Sequence, residues 1–162
     1  MKKLVFVLFI GTTLFVANTA SAQKKQTPAD KVKFYNHVWD VVVNEGRTNI
    51  LDTAYAEDVV LYHTKPETKG KAGAKAYYSN FVTGFSDRKF TVVQSFAQGD
   101  QLVKYWSFTG THTGVFFGIP ATGKKVVVIG CTIAKVVDGK ITQEQDFFDN
   151  LEFLQQLGLI PR

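Results

Sequence analysis

The chain has 162 residues, and its 19 basic and 14 acidic side chains give a formal net charge of +5. The lysines are scattered and form no dense basic tract with interleaved aromatic residues, which argues against nucleic acid as a partner. Cys131 is the only cysteine, so no internal disulfide can form and packing alone must stabilise the fold.

The first 22 residues have the pattern of a secretory signal peptide. Met1-Lys2-Lys3 is a basic start, residues 4–16 are mostly apolar, and Ala20-Ser21-Ala22 is an A-x-A cleavage site. The apolar run is too short and too interrupted for a membrane span of about 20 residues. A retained N-terminal anchor is the alternative. We expect an exported protein, periplasmic or secreted, with a single domain over residues 23–162 and no membrane contact after cleavage.

The N-terminal half of the domain has helical patterns. Thr27-Pro28-Ala29-Asp30 combines a cap, a proline at the first helical position and an acid in the first turn. Apolar residues then recur at helical spacing until Asn44-Glu45-Gly46, where the helix should end. A short second helix is predicted over residues 48–54, and a third helix over residues 71–85.

The second half consists mainly of strand patterns, with a hairpin signal at Asp138-Gly139. Helices early and meandering strands late predict an α+β fold, in which the helices pack on one side of an antiparallel sheet. A last helix is expected over residues 151–157. The predicted strands cover residues 59–63, 90–98, 101–108, 125–137 and 141–148.

A glycine-rich stretch, residues 110–124, connects two of these strands. Gly118 to Lys125 reads G-x-x-x-x-G-K-K, which is close to a phosphate-binding P-loop. That loop needs a Ser or Thr at the position of Lys125 and a helix after it, whereas residues 126–129 form a β-branched strand pattern. The stretch is therefore better explained as a hairpin connection.

The same stretch also carries a family resemblance. His112 to Lys124 reads H-x-G-x-F-x-G-I-P-x-T-G-K, which resembles the SnoaL-like polyketide cyclases, also called ester cyclases, of the nuclear-transport-factor-2-like superfamily. The resemblance implies a curved antiparallel sheet wrapped around the N-terminal helices as a cone or α+β barrel. It also implies a homodimer that pairs through the open sheet face. Further blocks in matching order are Trp39–Gly46, Tyr55–His63, Asp138–Ile141 and Asp149–Gly158.

A carboxylate near the end of the last strand is the candidate general base. Regular alternation from Ile141 places Asp149 on the same face as Gln143, Gln145 and Phe147, and this mixture of groups suits a polar pocket. Asp149 could equally cap the following helix. The resemblance favours the catalytic role, because the family has its acid/base carboxylate at the matching position. Asp146 lies on the opposite face and is the alternative base if a β-bulge shifts the register.

Two histidines are further candidates. His112 ends a strand and shares a face with Trp106 and Phe108, so it could donate to a substrate carbonyl or serve as a structural histidine below the glycine turn. The resemblance implies pocket positions for His112 and His63, and we include Phe116 among the substrate-binding residues. Two histidines and a carboxylate could hold a metal, but the family resemblance implies neither metal nor cofactor.

These residues predict proton abstraction next to a carbonyl, followed by stabilisation of the enolate by a donor. In the resembled cyclases this chemistry closes a ring by intramolecular aldol condensation. We therefore expect a cyclase- or isomerase-type lyase that acts on a small hydrophobic or aromatic molecule. The alternative is an exported, non-catalytic module of the same fold that binds such a molecule.

The leader gives a first testable prediction. Exported protein should begin at or near Gln23, because Ala20-Ser21-Ala22 offers signal peptidase the small residues that it cleaves after. N-terminal sequencing of the exported form checks this, and an intact Met1 would contradict it.

Overall fold

The computed structural model describes residues 26–63 and 66–161, so the predicted signal peptide lies outside the described residues. The helices are α1 (Pro28–Trp39), α2 (Leu51–Ala54), α3 (Lys71–Gly84) and α4 (Asn150–Gln156), with a π-helical segment at Asp40–Asn44 and a 3₁₀ turn at Thr48–Ile50. The strands are β1 (Tyr55–Leu61), β2 (Thr68–Lys69), β3 (Phe85–Gln98), β4 (Gln101–His112), β5 (Lys125–Val137) and β6 (Lys140–Phe148).

The six strands form one open sheet in the order β2-β1-β6-β5-β4-β3. Strands β3 to β6 make an antiparallel meander, and their inner face packs against the helices. Strand β1 lies beside β6 in the parallel direction. The predicted α+β class is confirmed, with the difference that the sheet is mixed and does not close into a barrel.

Strand lengths differ from the predicted ones where bulges hide the alternation. β3 begins at Phe85 and not near residue 90, because Phe85 and Ser86 continue the ladder with β4 beyond a register shift. Asp87 lies in that shift with a φ of 49°. β4 correspondingly extends to His112, the pairing partner of Phe85. β5, which has no such interruption at its ends, matches its predicted bounds.

The inner face of the sheet is built by even-numbered residues of β4 and β5. Leu102, Lys104, Trp106 and Phe108 alternate inward along β4 and are all buried. Gly130 of β5 lies opposite Trp106 in the register. A Cβ at Gly130 would lie 2.4 Å from Cζ2 of the indole, so only glycine leaves room for the tryptophan on this face.

One extra residue in β6 decides which side chains face inward. Val136 pairs with Ile141 but Lys135 pairs with Gln143, so Thr142 is unmatched and the strand has a β-bulge there. A bulge of one residue reverses the alternation beyond it. The inward residues after the bulge are therefore Glu144, Asp146 and Phe148, and the outward ones are Gln143, Gln145 and Phe147.

The first of these inward residues, Glu144, is buried in the core. Its carboxylate accepts hydrogen bonds from the hydroxyls of Tyr35 and Tyr55, and from the indole of Trp39 at 3.1 Å. Burial raises the pKa of Glu144 to about 7, with a further rise from the charge of Asp146, while the Lys104 charge and the two tyrosines oppose the shift. The network ties α1, β1 and β6 together around one carboxyl group.

The raised pKa predicts how stability depends on pH. A carboxyl whose folded pKa lies above its unfolded value favours folding most when protonated, so its contribution is complete below pH 4.5 and is lost as pH rises through 7. Relative to Glu144→Gln, the parent should lose up to roughly 3 kcal/mol of unfolding free energy across this window. Urea unfolding of the parent and of Glu144→Gln at pH 4.5 and at pH 7 measures this loss of unfolding free energy. Glu152→Gln, on the exposed side of α4, is the control. A relative stability that rises with pH would contradict the prediction.

Candidate functional site

A cavity of about 60 Å³ lies between the helices and the inner face of the sheet. Most of its wall is aromatic or aliphatic, and four residues bring polar atoms to it: Tyr78, Lys104, Thr132 and Asp146. Its lining, apolar with a few convergent polar groups, is that of a usual small-molecule site, although its volume is below the roughly 300–1,000 Å³ of such sites. The apolar lining residues are Trp39, Val42, Val43, Phe81, Phe90, Trp106, Phe108, Val128, Phe148 and Phe153.

Asp146 is the carboxylate of this cavity, and three neighbours fix its position. The Thr132 hydroxyl donates to Oδ1 at 2.5 Å, and the Tyr78 hydroxyl donates to Oδ2 at 2.8 Å. Trp106 Nε1 in turn donates to the Thr132 hydroxyl at 2.8 Å. The chain from indole to hydroxyl orients Asp146 at Oδ1, and the Tyr78 hydroxyl orients it at Oδ2. The alternative base proposed for a bulged strand is therefore the carboxylate that faces the cavity.

Lys104 supplies the positive charge of the cavity. Its side chain is buried, with 2% of the residue exposed, and Nζ lies 4.5 to 4.8 Å from the ring centroids of Trp39, Tyr35 and Phe90. Burial lowers the pKa of Lys104 to about 8, against the opposing effect of Asp146 and Glu144. The ammonium is therefore mostly protonated at neutral pH.

Asp149, the predicted base, does not reach the cavity, and that placement was wrong. It is exposed and caps α4, where its Oδ1 accepts a hydrogen bond from the backbone N–H of Glu152 at 2.9 Å. The physical reason is the bulge at Thr142, which breaks the alternation on which the prediction depended. Gln143, Gln145 and Phe147 were wrongly assigned to the pocket for the same reason.

His112 is buried below the glycine-rich turn and is not among the residues that line the cavity. Its Nδ1 accepts from the backbone N–H of Thr122 at 3.3 Å and lies 3.1 Å from the hydroxyl of the same residue. The ring also packs against Phe85 at 5.2 Å. Burial lowers the pKa of His112, against the opposing effect of a backbone hydrogen bond to Gly114, and the contacts with Thr122 anchor the turn. Its position is that of a structural histidine below the glycine-rich turn.

The remaining candidates divide between the cavity wall and its surroundings. Trp106 and Phe108, which share the strand face of His112, line the cavity. Phe116 is buried one layer behind, against Phe153 at 5.7 Å between ring centroids. His63 is half-buried and stacks on Tyr77 at 3.7 Å, with both ring nitrogens unpartnered among the described residues. Burial lowers the pKa of His63, and the charge of Asp146 opposes this.

Three polar residues of the cavity escaped the sequence analysis, namely Lys104, Thr132 and Tyr78, and so did the buried Glu144 in the adjoining core. The burial of Lys104 could have been predicted from strand alternation, since it lies between Leu102 and Trp106 on the same face of β4. The same alternation applies to Thr132 on β5. The positions of Glu144 and Asp146 depended on the bulge, for which the sequence gives no local turn residue.

The described residues hold no group of three or more His, Cys, Asp or Glu side chains arranged to bind a metal ion. None of the helices in the described part of the chain is long and apolar enough to cross a membrane.

Comparisons with known proteins give the family. A comparison with curated protein sequences found no match. Among solved structures, a candidate SnoaL-like polyketide cyclase from Jannaschia sp. CCS1 has 20% identity and a TM-score of 0.76, over 86% of this chain and 99% of the other. A candidate polyketide cyclase from Acidithiobacillus ferrooxidans has 26% identity and a TM-score of 0.68, over 78% of this chain and 93% of the other.

A third structure shows the same fold on a different enzyme. An epoxide hydrolase of the LEH-like type from M. tuberculosis has 16% identity and a TM-score of 0.63, over 82% of this chain and 89% of the other. Fold alone therefore does not settle the reaction. The family model for SnoaL-like polyketide cyclases, however, matches residues 29–157, most of the described chain. The chain belongs to the SnoaL-like polyketide cyclase family.

Proposed function

We propose that the protein catalyses cofactor-independent acid/base chemistry on a small hydrophobic or aromatic carbonyl compound, with Asp146 as the general base. The observation that carries this is a carboxylate held by two hydroxyl donors inside an apolar cavity. Such a group can abstract a proton next to a carbonyl. The enolate that results can close a ring by aldol addition or return as an isomer.

The geometry around Asp146 suits a base more than a structural carboxylate. Each oxygen accepts one hydrogen bond, from Thr132 or from Tyr78, so each has a second lone pair for a substrate proton. Burial, followed by the charge of Asp146, raises the pKa of Tyr78 well above its ordinary value. The phenol therefore stays protonated and remains a donor throughout the neutral range.

The base assignment predicts a large effect of one substitution. Asp146→Asn is nearly isosteric and removes the base. It keeps an acceptor oxygen for one of the two hydroxyls, and its NH₂ group can donate to the other. It should slow the reaction by about two to four orders of magnitude. The measurement is deuterium uptake from D₂O at the α-carbon of 2-indanone, a compact aromatic ketone, followed by proton NMR. Asp149→Asn is the matched control, since asparagine caps a helix as well as aspartate does.

Equal exchange rates for Asp146→Asn and the parent would refute the base assignment. If the parent binds 2-indanone but exchanges it no faster than solvent does, the non-catalytic binding module becomes the better description.

We also propose that the chain acts after export, because the signal-peptide pattern of residues 1–22 precedes the domain. Its substrate would then be a compound met in the periplasm or outside the cell.

A homodimer through the outer face of the sheet is a further part of this proposal. Six large apolar residues point outward there with between 42% and 57% of their surface exposed. Tyr105, Cys131 and Phe147 pair in a row across β4, β5 and β6, so these three side chains are neighbours on the outer face. An exposed apolar patch is typical of an interaction site. The six are Phe96, Tyr105, Val127, Ile129, Ile133 and Phe147.

Light scattering at micromolar concentration should give the mass of a dimer. Ile129→Lys should shift the protein towards monomer, because it places a charge in the middle of the apolar face. Val115→Lys is the control, since Val115 is similarly exposed, at 62%, but lies in the glycine-rich connection and not on the sheet. A monomeric parent would contradict the proposal.

A further inference from the structure

Lys104 occupies an unusual position for a lysine. The alternation of β4 points its side chain inward between Leu102 and Trp106, where it forms part of the cavity wall. Only 2% of the residue is exposed. Lysine is almost never fully buried unless its charge has a partner, so the surroundings of Nζ need an explanation.

Three aromatic rings take the place of a counter-ion. Nζ lies 4.5 Å from the ring centroid of Trp39, 4.7 Å from that of Tyr35 and 4.8 Å from that of Phe90. Ring faces attract a cation but accept no strong hydrogen bond. Among the hydrogen bonds and the ion pairs within 4.0 Å that residues 26–63 and 66–161 make, none involves this ammonium. Its N–H donors are therefore unused by described groups.

A buried cation with free donors is costly unless something accepts from it. The nearby carboxylates already have donors of their own: two hydroxyls hold Asp146, and two hydroxyls and an indole hold Glu144. Lys104 therefore acts on both carboxylates through its field and contacts neither. What remains for its donors is the cavity that Lys104 helps to line.

We propose that Lys104 is the anion-binding group of the cavity and that the ligands are aromatic or alicyclic compounds with one acidic oxygen, such as a phenolate, a carboxylate or an enolate. The aromatic wall binds the ring, and the ammonium donates to the oxygen. This inference rests in part on the proposed function. Asp146 takes the α-proton, the C–H electrons form the C=C bond of the enolate, and the π pair of the C=O bond moves onto oxygen. A hydrogen bond from Lys104 stabilises the negative charge on that oxygen.

A second role for Lys104 would be that of a nucleophile that attacks a carbonyl compound and forms an imine. That role fits the structure less well. A nucleophilic amine must be neutral. Burial lowers the pKa of Lys104 to about 8, but the charges of Asp146 and Glu144 oppose this shift, and three ring faces within 5 Å stabilise the ammonium form.

The test compares 4-nitrophenol with 4-nitroanisole, its methyl ether, which has the same ring but cannot ionise. In the parent, visible absorbance should show that bound 4-nitrophenol ionises at a lower pH than the free compound does. Lys104→Met keeps the length of the side chain and removes the charge. It should weaken binding of the phenolate by about 10- to 100-fold, the value of one charge-assisted hydrogen bond, and change 4-nitroanisole binding by less than about twofold.

Lys125→Met, at an exposed position on the outer face of β5, is the matched control and should leave both ligands unchanged. Replacing a buried charge by an apolar residue is often tolerated, and circular dichroism checks that the variant folds. Should Lys104→Met fail to fold, the parent alone still decides. Bound 4-nitrophenol that ionises at the same or a higher pH than the free compound would overturn the proposal, as would equal phenolate affinity in Lys104→Met and the parent.

Asp146→Asn separates this inference from the proposed function. It should keep or strengthen phenolate binding, because it removes a negative charge from the cavity, while exchange of 2-indanone is lost. A parent that binds the phenolate through Lys104 but exchanges no ketone would retain the anion site and refute the acid/base function. Loss of phenolate binding in Asp146→Asn, with the fold intact, would refute the anion site.

Discussion

The site depends on one extra residue in β6. Thr142 has no partner in the register, and the reversal of alternation beyond it turns Glu144 and Asp146 towards the helices. An unbroken strand would instead have pointed Gln143 and Gln145 inward and left both carboxylates on the outer face. Bulges are frequent beside functional sites because they redirect side chains without changing the sheet. Here the bulge directs two carboxyl groups towards an otherwise mostly apolar interior.

Glu144 and Lys104 are buried and Asp146 is half-buried beside them, and such burial of charge is unfavourable unless each group is stabilised locally. Aromatic residues do this in two ways. The polar tips of Tyr35, Tyr55 and Trp39 donate to Glu144, while the ring faces of Tyr35 and Trp39 lie against the ammonium of Lys104. A tyrosine or tryptophan can therefore hold an anion at its edge and a cation at its face. This explains how charged groups can lie in and beside a mostly aromatic cavity.

The sequence predicted the regular parts of the fold well. β5 has no bulge at either end and sits between a Gly- and Pro-rich connection and an Asp-Gly turn, so its bounds were correct. The base was misplaced because alternation was counted through Thr142, and no glycine or proline marks that position. Lys104 was overlooked for a different reason. Its alternation with Trp106 was visible, but composition alone suggests a solvated lysine, and only the packed structure shows that it is buried.

The arrangement of charges has a consequence for the proposed reaction. Proton abstraction by Asp146 neutralises one negative charge and creates another on the enolate oxygen, so the cavity gains no net charge. In an apolar interior, moving a charge requires less free energy than creating one, provided that a preorganised hydrogen-bond donor already lies at the new position. Lys104 already holds its positive charge in the cavity before substrate enters, against three fixed rings. In this scheme the unfavourable free energy of burying the ammonium is part of the folding free energy. No further reorganisation is needed when the enolate forms, so the charge stabilises it fully.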